Sequence, residues 1–151
     1  MTIDLTRKKI EDYSAKQVFD IADAFLLAAL RCDEPRVLDI GVVQRLMVPV
    51  IVNASFACEL FLKSILIGNG LPPHKHELNI LFDRLPKDTQ DIIVNSVPEY
   101  DFGEEVEKIS CAFTEWRYIY EIEFHSINID FLFKLAYALR NTARLELEKM
   151  L

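Results

Sequence analysis

The stretch TEWRYIYEIEFHSIN, Thr114 to Asn128, sets Arg117, three glutamates and one of the chain's three histidines beside its sole tryptophan. A guanidinium presents a planar fork of donors that fits a phosphate, and the same fork fits a carboxylate. Arg117 therefore reads either as a phosphate ligand or as half of an ion pair. On a helix it falls about 40° from Phe113, at the border of the apolar stripe, with Glu121 one turn further on. A second pair of charges, Glu59 and Lys63, stands one turn apart inside an otherwise apolar run. An isolated charge in a helix of that kind is costly, so a partly buried network of Glu59, Lys63, Arg117 and Glu121 is expected. Such a network either fixes helix register or holds an anion.

The remaining candidates are aromatic or imidazole groups. Phe113, Trp116 and Tyr120 recur at helical spacing and read as core, whereas Tyr118 points off that stripe and is the better exposed contact for a ligand. His74 and His76 form an HKH triplet ahead of a helix. They lack a third ligand at metal spacing, so no metal site is expected there, and His76 reads as a turn residue open to a binding role. His125 falls in the break between two helices as a lone imidazole. There is no glycine-rich phosphate loop, HExxH, CxxC or GxSxG, which leaves a bound dinucleotide, a zinc protease and a serine triad without support, and no cofactor is expected.

These residues must be positioned by helices. The chain has 151 residues, 51 % of them hydrophobic, with only four glycines, which suits a single α-helical domain over residues 1–151. Ser14 and Gln17 have capping-box spacing, and Val18, Ile21, Ala22, Phe25, Leu26 and Ala29 predict a helix ending near Arg31. CDEPR, Cys32 to Arg36, reads as a turn. A second, strongly apolar helix is expected from Leu38 to Ile67, kinked or restarted at Pro49 and stopped by GNGLPP. Short helices are expected around 78–85 and 88–97. A further helix is expected over Glu104 to Ile122, and a last one capped by Asn128 or Ser126, with Phe131, Leu132, Leu135, Ala136, Leu139 and Ala143 as its apolar stripe. The sum is an all-α, up-and-down bundle of about four main helices with short connecting helices.

Charge and cysteine usage narrow the function classes. The net charge is −7, and Glu77 to Glu123 alone holds twelve acidic and four basic residues, a balance of −8. A surface of this sign disfavours broad electrostatic binding of nucleic acid and leaves a local basic strip as the route for RNA. The acidic face with Glu104, Glu105 and Glu107 would instead suit a basic protein partner. Cys32, Cys58 and Cys111 are odd in number and widely spaced, as expected of reduced thiols in a cytoplasmic protein. The N-terminus lacks the apolar core of a signal peptide. Glu59 and Lys63 argue against a membrane span for the apolar run and for a core helix.

The runs NASFACELFLKSIL (Asn53 to Leu66), KHELNILFDRLP (Lys75 to Pro86) and FTEWRYIYE (Phe113 to Glu121), in that order, resemble the prokaryotic HEPN-domain family. That family is found in toxin–antitoxin, abortive-infection and other RNA-targeting systems, and the likeness extends from about Asn53 to Arg144. The resemblance implies a bundle of four main helices, commonly homodimeric. In active members it implies a metal-independent endoribonuclease site where two protomers meet, built on an arginine and a histidine a few residues apart. There the histidine would exchange a proton with the ribose 2′-hydroxyl or the leaving oxygen, and the arginine would steady the phosphorane charge. Arg117 matches the family arginine. His125 follows only after seven intervening residues, and Ile122 to Phe124, where the histidine is expected, hold isoleucine, glutamate and phenylalanine. The resemblance thus implies a homodimeric binding or regulatory module linked to RNA, nucleotides or an antitoxin-like protein. An endoribonuclease using Arg117 and His125 is its catalytic alternative.

Overall fold

The computed structural model describes residues 1–3, 9–121 and 126–151, and of 11 and 119–121 the backbone alone. After a 3₁₀ turn at Ile10–Asp12, helix α1 spans Ala15–Asp33. Its start is a reciprocal cap: Gln17 N–H donates to Ser14 Oγ at 3.2 Å, and Ser14 N–H donates to Gln17 Oε1 at 2.9 Å. Val18, Ala22, Leu26 and Ala29 form its buried face.

The chain then makes a hairpin rather than entering a helix at Leu38. Strand β1 (Arg36–Val37) pairs antiparallel with β2 (Val43–Gln44), Arg36 opposite Gln44 and Val37 opposite Val43. Gly41, at φ +76°, turns the chain between them, and Gly41 N–H donates to Leu38 O at 2.8 Å. The β-branched residues 37, 42 and 43 favour this extended backbone. Helix α2 accordingly starts later, at Met47, and runs to Gly68. Pro49 falls in its first turn, where a backbone N–H would have no helical partner, so the expected kink is replaced by a compatible start.

Helix α2 is the centre of the molecule. Its buried residues run almost unbroken from Ala54 to Leu66, and 78 % of its most apolar window is covered by the rest of the fold. It ends in a Schellman arrangement in which Leu71 N–H donates to Leu66 O at 2.8 Å and Gly70 N–H to Ile67 O at 3.0 Å, with Gly70 at φ +67°. Four short helices follow: α3 (Leu78–Asp83), α4 (Lys87–Asn95), α5 (Phe102–Ile109) and α6 (Ala112–Glu115). A 3₁₀ segment covers Trp116–Glu121, and α7 spans Ile129–Lys149 with Asn128 Oδ1 accepting Phe131 N–H at 3.1 Å.

Helices α1 and α7 pack on α2, and one cluster of buried apolar residues runs through Phe61, Leu66, Leu81, Ile93, Ile109 and Phe131. Ser64 Oγ donates to Ala15 O at 2.7 Å, which fixes α1 on α2, and Arg140 pairs with Asp23 to tie α7 to α1. The molecule is an all-α bundle. The continuous helix expected over Glu104 to Ile122 is instead broken after Ile109. There Ser110 O accepts Leu78 N–H at 3.1 Å and Ser110 Oγ accepts Asn79 N–H at 3.0 Å, so the serine joins α5 to α3 and the helix stops. Its expected end at Ile122 lies outside the described residues, as does the side chain of Tyr120.

Candidate functional site

Glu59 is 1 % exposed, on the most buried helix of the protein. Its Oε1 accepts from Lys63 Nζ at 2.7 Å, one turn along α2, and lies 2.8 Å from His76 Nδ1. Its Oε2 is fully buried and has no hydrogen-bond partner among the described residues. The ion pair of Glu59 and Lys63 foreseen in the sequence is therefore present. Removing water from two charges costs several kcal/mol per ion, and their attraction repays this only in good geometry. A half-satisfied carboxylate at this depth is not the cheapest way to build a core.

The segment between α2 and α3 delivers His76 to that carboxylate. Arg84 Nη1 donates to Pro72 O at 3.1 Å and also to His74 O, fastening the first half of the loop. The second half is fastened where Leu78 and Asn79 meet Ser110. Between them Lys75 sits at φ +102°, a left-handed conformation costly to a residue with a Cβ. The Glu77 carboxylate accepts His76 N–H at 3.1 Å; hydrogen bonds from its own N–H and that of His76 hold it below the ordinary carboxylate range. The His76 side chain is 65 % exposed, so one ring nitrogen touches a buried carboxylate while the ring itself faces solvent. The carboxylate oxygen is an acceptor, so it is a hydrogen on Nδ1 of His76 that can be shared with it, whichever form the ring takes.

Arg117 does not join this network among the described residues. Its guanidinium lies over the Phe113 ring, 4.5 Å from the centroid, and 5.6 Å from that of Tyr118. Phe113 in turn stacks on Phe56 of α2, with centroids 4.0 Å apart and planes 13° from parallel. The expected contact with Glu59 assumed one helical phase from Phe113 onward. The 3₁₀ segment, with Tyr118 at φ −118° and ψ 33°, resets that phase and carries Arg117 outward. Arg117 and Tyr118 are both exposed. His125 and the side chain of Glu121 lie outside the described residues.

The stack and the buried carboxylate share a turn of α2, since Phe56 and Glu59 stand about 60° apart around its axis and about 4.5 Å apart along it. The two carry separate contacts: Phe56 bears the ring stack on which the Arg117 guanidinium lies, and Glu59 meets the His76 imidazole. Among the described residues no three His, Cys, Asp or Glu side chains gather as a metal-ligand group. On the acidic face, Lys108 Nζ reaches Glu104 at 2.8 Å and Glu105 at 3.3 Å, which offsets part of its charge.

The juncture of His76 with Glu59 was missed in the sequence. Its one legible signal is the imbalance at Glu59: a carboxylate in an apolar helix needs more donors than a single lysine, and KHE is the first histidine-bearing segment after that helix. No protein-family model matches the chain, no curated protein matches it, and no solved structure matches it.

Proposed function

We infer that this chain is a HEPN-like helical module of the cytoplasm that binds RNA or a nucleotide and works as a homodimer in a defence or toxin–antitoxin setting. The observation that carries the reading is Arg117, an exposed guanidinium laid on Phe113 and close to Tyr118. A guanidinium on aromatic rings offers a flat surface for a base and a fork of donors for a phosphate. On a chain of net charge −7 that local feature, rather than a basic field, would select the ligand. The imidazole of His76 adds a second polar group beside the same turn of α2. A homodimer would place two such faces on one ligand.

The test is fluorescence anisotropy of labelled single-stranded RNA, and of labelled ATP and GTP, against the full chain and its Arg117→Ala variant, with sedimentation to read the assembly state. Binding that weakens with salt and weakens further on loss of Arg117 is the expected result. Absence of binding to any of these probes, or affinity indifferent to Arg117, would overturn the reading.

A further inference from the structure

We propose that the hairpin of β1 and β2 joins two copies of this chain through the open edge of β2, with Val43 of one copy facing Val43 of the other. This rests on the homodimer of the reading above and on none of its RNA contacts, and the hairpin lies outside the stretch Asn53 to Arg144 that carries the family likeness. Six large apolar side chains, Val37, Leu38, Ile40, Val42, Val43 and Leu46, are exposed in this short segment, Ile40 at 80 % and Val37 at 75 %. None of them belongs to the core cluster of the described residues, and the principal contact of each strand is the other strand. Together they offer on the order of several hundred Å² of apolar surface in one place, the size at which such a patch marks an interaction site. A two-stranded hairpin alone is marginally stable in water, whereas further strands stabilise it.

The hydrogen bonding selects the edge and the partner. Residue pairs in an antiparallel ladder alternate between bonded and unbonded. Leu38 N–H donates to Val42 O at 2.9 Å, so Val37 and Val43 form an unbonded pair, whose backbone groups point outward to the two edges. On the β1 edge the next outward position is Pro35, which has no N–H to donate. The β2 edge is open: Val43 is 58 % exposed, and a side chain at Gly41 would meet nothing within 4 Å. Two-fold pairing of that edge lets each Val43 exchange N–H···O bonds with the other and sets Val37, Val43, Val43 and Val37 in one row across four strands. The same register puts Arg45 of each copy opposite Gly41 of the other, next to the turn that carries Asp39. Residues 31–45 hold Arg31, Arg36 and Arg45 against Asp33, Glu34 and Asp39, a neutral segment where two chains of net charge −7 can meet without repulsion. A lipid surface would call for a positive rim instead, and the self-matching register favours a second copy over a strand of another protein. Such a pairing buries roughly 1,200 Å² at most, so the dimer should form at micromolar concentration.

The experiment follows the full chain by analytical ultracentrifugation across the micromolar range, with circular dichroism to establish that each variant keeps its helices. Val43→Lys and Val43→Glu each set like charges across the two-fold axis and should raise the dimer Kd about tenfold or more. An equal mixture of the two variants should associate again, to within about threefold of wild type, because unlike charges then face each other. Wild type that stays monomeric, single variants that dimerise as wild type does, or a mixture no more associated than its parts would each overturn the proposal. A dimer indifferent to Val43 and dissolved by Arg117→Ala would overturn it while leaving the homodimer of the earlier reading intact. A monomer that cosediments with phosphatidylcholine vesicles would overturn it in favour of a lipid surface. RNA anisotropy on the same samples separates the two readings: a chain that dimerises through Val43 and binds no RNA upholds this interface and overturns the RNA site.

Discussion

His76 Nδ1 lies 2.8 Å from Glu59 Oε1 across 17 positions of sequence, on the same carboxylate oxygen that Lys63 reaches at 2.7 Å. Two groups from different segments thus converge on one buried atom. The pair within α2 is a local consequence of one-turn spacing. The histidine is delivered by a loop whose strained residue, Lys75, immediately precedes it.

Stability should separate the two halves of this arrangement. Glu59→Ala leaves a buried ammonium without its partner, and Lys63→Ala leaves the carboxylate with only the histidine; each should cost about 3–5 kcal/mol in urea unfolding. Replacing both at once, Glu59→Leu with Lys63→Met, should return stability to within about 1 kcal/mol of wild type or above it. A double variant as unstable as the single ones would mean that the pair is retained for folding.

A second network sets the acid response. Lys134 Nζ reaches Glu99 at 2.7 Å and Asp130 at 3.0 Å, and Tyr100 donates to Asp130. The hydrogen bond from Lys134 holds Glu99 below its ordinary range, and those from Tyr100 and then Lys134 do the same for Asp130. Carboxylates lowered in the folded state contribute stability above their unfolded values of about 4, and that contribution is lost as pH falls through the lower folded values. The melting temperature of Lys134→Met should therefore lie below that of wild type at pH 7 and converge on it toward pH 3. The gap should also narrow in high salt, because these side chains are solvent-exposed.

The cysteines provide a check on packing. Burial pushes the Cys58 thiol far up, and burial with the nearby charges of Glu115 and Glu77 raises Cys111. Cys58 is fully enclosed in α2. A thiol reagent at pH 8 should leave Cys58 unmodified in the native protein and modify all three cysteines in guanidinium. Rapid native labelling of Cys58, mapped by mass spectrometry, would contradict the described core.

What could be read in the sequence was local. Ser14 with Gln17 marked a helix start, and of Asn128 and Ser126, both open as caps of the last helix, it is Asn128 that accepts Phe131 N–H, because a cap is a contact within three residues. The apolar stripe of α7 was visible for the same reason. The helix expected from Leu38 was wrong at its start, since a short apolar run such as that around Val43 fits a strand and a helix alike, and the turn at Gly41 makes it a hairpin. Arg117 was misplaced because the α-helical phase of Phe113 was carried past Glu115, where the chain tightens into the 3₁₀ segment Trp116–Glu121. The meeting of His76 with Glu59 depends on a folded loop, and no periodicity encodes it.

The most direct test of the binding account is the salt dependence of RNA affinity for wild type and Arg117→Ala, measured side by side. In the wild type log Kd should rise with log salt, and the variant should bind more weakly with a slope shallower by about one phosphate contact. Arg117→Ala should cost no more than about 1 kcal/mol of stability, since its side chain is exposed and rests on aromatic rings. Identical affinity and identical slope for the two proteins would contradict the assignment of Arg117 to the ligand.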